Sequence, residues 1–78
     1  MTTDVVIRGE TIRLGQLLKL AGLIDTGSDA RALLSATPTQ VNGEPETRRG
    51  RQLHPGDVVL VGEQELRIRG ERPAGQDA

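Results

Sequence analysis

The hydrophobic period of this chain changes once, at Pro38, and that change limits what it can fold into. Before Pro38, Leu14, Leu17, Leu18 and Ala21 fall at i, i+3, i+4 and i+7, the stripe of a helix ending near Gly22. Leu20 and Ile24 widen the same face, while Gln16 and Lys19 lie on the opposite, exposed side. The stretch from Asp25 to Asp29 reads as a turn in which Thr26 or Ser28 caps a second helix and Asp29 complements its positive end. That helix turns Ala30, Leu33 and Leu34 inward, sends Arg31 and Ser35 outward, and stops near Ala36 because Pro38 cannot continue it.

After Pro38 the period is two. Val41-Asn42-Gly43-Glu44 contains Asn-Gly, a strong hairpin signal. Pro45 keeps the return strand short or at an edge. His54-Pro55-Gly56-Asp57 is a further turn and Val58 to Val61 a buried strand. Gly62-Glu63-Gln64 then joins it to Glu65–Arg69, where Leu66 and Ile68 face inward. Val5, Val6 and Ile7, ahead of Gly9, add a short first strand. The expected class is therefore α+β: a two-helix unit packed against a small, mainly antiparallel sheet. Residues 1–70 form one domain in this reading, and residues 71–78 a disordered tail.

Composition removes several classes of function. A chain of 78 residues has room for one modest core and little stability to spare. It has no cysteine, which excludes disulfides, thiolate metal sites and thiol nucleophiles and fits a reducing cytoplasm. No apolar run approaches the roughly 20 residues of a membrane span, and Met1 to Asp4 is polar, unlike a signal peptide. The expectation is a soluble cytoplasmic protein with no membrane partner.

Catalysis finds little support. His54 is the single histidine and, beside a Pro-Gly turn, reads as a solvent-facing loop residue. Glu44/Glu46 and Glu63/Glu65 share strand faces at exposed hairpin ends, which do not push two carboxyl pKa values apart. Neither a phosphate-binding Walker loop nor a dinucleotide-binding glycine pattern is present. No catalytic residue, metal or cofactor is expected.

The charges are sorted. Arg48, Arg49 and Arg51 follow Thr47 with no acidic residue among them, while Glu44, Glu46, Glu63, Glu65, Glu71 and Asp77 lie elsewhere. A guanidinium matches phosphate oxygens in pairs, so the cluster suits an RNA backbone. It also reads as solvated surface arginines partly neutralised by Glu44 and Glu46. A net charge of −1 opposes polyanion binding. The lack of Phe, Tyr and Trp removes the platforms on which unstacked bases are held.

The order Arg13-Leu14, Leu17-Leu18, Gly22-Leu23, Ala30-Arg31, Leu33-Leu34, Val41-Asn42-Gly43 and Gly56-Asp57-Val58-Val59 resembles the S4-type RNA-binding domain, or alpha-L motif, from Ile12 to Val61. Glu46-Thr47-Arg48-Arg49 and Leu17-Leu18-Lys19-Leu20 resemble its small stand-alone bacterial members. The resemblance implies non-catalytic binding of structured RNA, ribosomal or transfer RNA, by a monomer, with ribosomal components as further partners. The implied contacts are Lys19, Arg31, Arg48, Arg49 and Arg51, with Arg13 either a contact or an anchor of the first helix.

The chain departs from the pattern at four positions. Gly15 stands where many larger relatives have an acidic residue and Gly27 where they have an arginine; Thr37 replaces a glycine and Arg49 a proline. Contact with about four phosphates implies that log affinity falls with log salt at a slope of roughly −3 to −4. Sequence discrimination is expected to be slight. The alternative reading, favoured by the acidic total and the missing aromatics, is a protein-interaction adaptor that keeps the fold without binding RNA.

Overall fold

The helical stripe and the alternating strands meet in one aliphatic core. The structure, a computed structural model, describes residues 2–71. Its elements are β1 (Thr2–Ile7), β2 (Ile12–Arg13), α1 (Leu14–Leu20), α2 (Gly27–Ala36), β3 (Thr39–Val41), β4 (Glu44–Pro45), β5 (Gln52–Leu53), β6 (Val58–Val61) and β7 (Gln64–Gly70). A five-stranded sheet runs in the order β1-β7-β6-β3-β4, and β2 and β5 form a separate two-stranded ribbon. The pairs β3–β4, β3–β6 and β6–β7 are antiparallel and β1–β7 is parallel. The fold is the expected α+β arrangement, with a sheet that is mainly antiparallel. Apart from Glu71, the expected tail lies outside the described residues.

Leu14, Leu17 and Leu18 of α1, Ala30 and Leu34 of α2, and Val41, Val59, Leu66 and Ile68 of the sheet are buried together. With no aromatic ring to fill space, the core depends on close packing of branched side chains. Truncating one such leucine to alanine costs about 2–5 kcal/mol, a large share of what a small domain has. Leu20 differs from expectation. It is 57% exposed, on a flank of α1 left open by the described residues. Ile24 is buried as expected, but from the loop after α1.

Between the two cap candidates of α2 the structure selects Thr26, whose Oγ1 accepts a bond from the Asp29 N–H at 3.3 Å. Pro45 lies on β4, a two-residue edge strand, as its missing donor requires. The alternation of β1 and β7 did not specify their partnership, which joins Thr3 to Leu66 and Val5 to Ile68 in register. Among the described residues, no helix is long and apolar enough to cross a membrane.

Two sequence motifs meet in one joint. Asn42 (φ 52°) and Gly43 (φ 86°) both lie in the left-handed region that a two-residue hairpin of this kind requires. The Asn42 backbone N–H donates to the Val58 carbonyl at 2.8 Å, and the Val58 N–H donates to Asn42 Oδ1 at 2.9 Å. Asn42 Nδ2 donates to Asp57 Oδ1 at 3.0 Å, while Asp57 Oδ2 accepts the His54 N–H at 2.8 Å. Burial pushes the Asp57 carboxyl up, but the bonds from Asn42 and His54 and the nearby charges of His54 and Arg51 outweigh it. The result lies below the ordinary carboxylate value. Val-Asn-Gly and Gly-Asp are thus two halves of one hydrogen-bonded clasp.

Asn42→Gly removes the side-chain bonds but tolerates the backbone, whereas Asn42→Ala also carries the left-handed penalty. Urea unfolding should show Asn42→Ala less stable than Asn42→Gly by about 1 kcal/mol, and both below the wild type.

Candidate nucleic-acid interface

Leaving β4, the chain must reach β5, which pairs with β2 just before α1, and Glu46 organises that crossing. Its backbone N–H donates to the Thr39 carbonyl at 2.9 Å. Its side chain, only 6% exposed, points into the loop it begins. Oε2 accepts the backbone N–H groups of Thr47 and Arg48 and the Arg48 Nε, each at 3.1 Å. Oε1 accepts Arg51 Nη1 at 2.8 Å and Arg48 Nη2 at 3.4 Å. Bonds from Arg48 and then Arg51 hold the carboxyl at about 2, against burial, which pushes it up. Glu46 is therefore a buried carboxylate with its acceptors filled, not the exposed hairpin-end residue expected from alternation.

The loop then docks on the first turn of α1. The Leu14 N–H donates to the Arg51 carbonyl at 2.9 Å and the Gly15 N–H to the Arg49 carbonyl at 2.8 Å. Gln16 Oε1 accepts the Arg13 N–H at 3.4 Å. Backbone donors that a helix start leaves without partners are thus taken up by the loop. The contact is close because position 15 has no side chain: a Cβ there would lie 3.4 Å from both Cβ and O of Arg49.

Between this loop and the two helices lies a shallow groove of about 360 Å³. Arg13, Lys19 and Arg49 supply its cations, Gln16 and Thr26 add polar groups, and no described acidic residue lines it. Of the residues implied as contacts, the structure thus brings Arg13, Lys19 and Arg49 together. Arg48 and Arg51 turn toward Glu46, with side chains 76% and 35% exposed. Arg31 is exposed on α2 and does not line the groove. Reading the sequence missed Gln16, Thr26 and the small-residue floor, because none has a charge or pattern that marks it. Both ends of the Glu46–Arg48–Arg51 cluster were visible as neighbouring charges, but burial of the acid was not.

Two helices, the Asn-Gly clasp and an arginine loop folded onto the first helix define a class of small domain. The chain belongs to the S4 domain family, whose model matches residues 5–69. It is similar to a Bacillus subtilis (strain 168) protein named probable ribosome maturation protein RlbA. The two are 49% identical over 61 residues, which is 78% of this chain and 86% of that relative. The family match extends past the Ile12–Val61 stretch into β1 and β7, the parallel pair at one edge of the sheet.

A carboxyl held at about 2 against an ordinary 4.5 stabilises the folded state fully above about pH 5, and that contribution is lost as pH falls from 4.5 toward 2. Screening around the exposed Arg48 limits it to about 2 kcal/mol. Glu46→Gln should lower stability at pH 7 by roughly that amount and flatten its dependence between pH 5 and 2, measured by urea unfolding at each pH.

Proposed function

We propose that the protein binds structured RNA, ribosomal or transfer RNA, through the groove between α1, α2 and the 46–51 loop. It acts as a cytoplasmic monomer in a ribosome-related role, without a catalytic step. The observation that carries this reading is the convergence of Arg13, Lys19 and Arg49 on a groove without a described acidic lining residue. Membership of the S4 domain family supports it, as does similarity to a protein named for ribosome maturation.

The chemistry favours backbone over base recognition. Guanidinium and ammonium groups meet phosphate oxygens, while the chain offers no aromatic ring on which a base can stack. A double-stranded or folded RNA presents phosphates and 2′-hydroxyls to such a surface and is read by shape. Ribosomal and transfer RNAs both meet that description.

Binding to folded ribosomal and transfer RNA across a salt series, by filter retention, tests the reading. Three groove cations predict a log–log slope of about −2 to −3, shallower than four contacts would give, and Lys19→Ala should reduce its magnitude by about one. Absence of binding at low salt would overturn the reading and direct attention to a protein partner.

A further inference from the structure

The three arginines of the loop lie within four residues of sequence but are unequal in the fold. Arg48 and Arg51 both bond to the buried Glu46 carboxylate, at 3.1 and 2.8 Å. A cation held this way is partly neutralised, and moving it to a ligand leaves a buried carboxylate short of partners, which costs free energy. Arg49 has no acidic partner among the described residues.

Arg49 is nevertheless held in place. Its carbonyl accepts the Gly15 N–H, and its Nη1 donates to the Gly27 carbonyl at 3.2 Å. The side chain crosses two positions that lack a Cβ. A Cβ on Gly15 would stand 3.4 Å from Arg49 Cβ, and one on Gly27 would stand 3.2 Å from Nη1. One guanidinium N–H is spent on the Gly27 carbonyl, and no other described residue bonds the rest. The cation is pre-positioned beside the groove, with donors in reserve, so less rotamer entropy is lost when a ligand arrives.

We infer that Arg49, seated across Gly15 and Gly27, is the loop's phosphate-contacting residue, and that Arg48 and Arg51 are positioning residues that hold the loop through Glu46. The ligand it takes is a phosphodiester oxygen of an RNA backbone, shared with Arg13 and Lys19. This assignment rests on the RNA-binding reading above and deepens it.

Four single variants separate the roles: Arg48→Ala, Arg49→Ala, Arg51→Ala and Gly27→Ala. Each is measured for affinity to folded bulk ribosomal RNA, for salt slope and for thermal midpoint. Arg49→Ala should weaken binding about tenfold and reduce the slope by about one, with the midpoint nearly unchanged. Arg51→Ala should lower the midpoint and alter affinity less than about threefold at temperatures where it is folded. Arg48→Ala should do the same more mildly.

Gly27→Ala is the sharper probe, because it keeps every charge. Alanine suits the first turn of α2 better than glycine, and the nearest atom to its Cβ is the end of the flexible Arg49 side chain. The midpoint should hold or rise while affinity falls several-fold as the guanidinium is displaced. If Arg48→Ala or Arg51→Ala weakens binding as much as Arg49→Ala while folded, or if Gly27→Ala leaves affinity unchanged, the assignment is wrong although RNA binding stands. A wild-type protein that fails to retain the RNA at low salt overturns both.

Discussion

The carboxylate of Glu46 is the interaction on which the groove-bearing end of this domain depends. A carboxylate withdrawn from solvent is costly unless each oxygen is bonded, and here the donors come from the following residues of its own chain. Satisfying it bends residues 46–51 into one compact shape. That shape aims the carbonyls of Arg49 and Arg51 at the first turn of α1. A segment without helix or sheet of its own between β4 and β5 is thereby given a defined set of hydrogen bonds.

The groove follows from that docking. The carbonyl end of the loop occupies the start of α1, so backbone donors there are already used. What remains to meet an anion is side-chain charge from three directions: Arg13 before α1, Lys19 near its end and Arg49 from the loop. The Asn42–Asp57 clasp acts at a distance on the same site. It fixes where β3 turns into β4, and therefore where Glu46 enters the loop.

Sequence pattern disclosed the longer elements because their periods are strong, and missed the two-residue strands β2 and β5. Leu14, Leu17 and Leu18 can only be buried together on a helix, and Asn42-Gly43 offers the left-handed backbone that a tight hairpin needs. Pairing between distant segments was another matter. The parallel union of β1 and β7 and the β2–β5 ribbon join residues far apart in sequence, and alternation says which face a strand buries without saying which strand it meets. The site was half legible for a related reason. Residue type marks Arg49 and Arg48 alike as cations, whereas their surroundings differ by a buried acid and two missing Cβ atoms, which only the folded chain brings together.

The net charge of −1 then ceases to oppose anion binding, since affinity follows the local field and not the total. Some of the acids are engaged where they stand: Glu46 with Arg48 and Arg51, Asp4 with Arg69, and Glu65 with Arg67. Asp57 is bonded by Asn42 and His54. Asp25 and Asp29 flank the Thr26–Gly27 wall in sequence, yet neither lines the groove. At physiological ionic strength a charge beyond about 8 Å is largely screened, so distant carboxylates subtract little from three cations gathered on one groove. An acidic total with a basic groove also limits non-specific attraction over the rest of the surface. On the proposed reading, a folded RNA would be held by the fit of its phosphates to the groove as well as by charge.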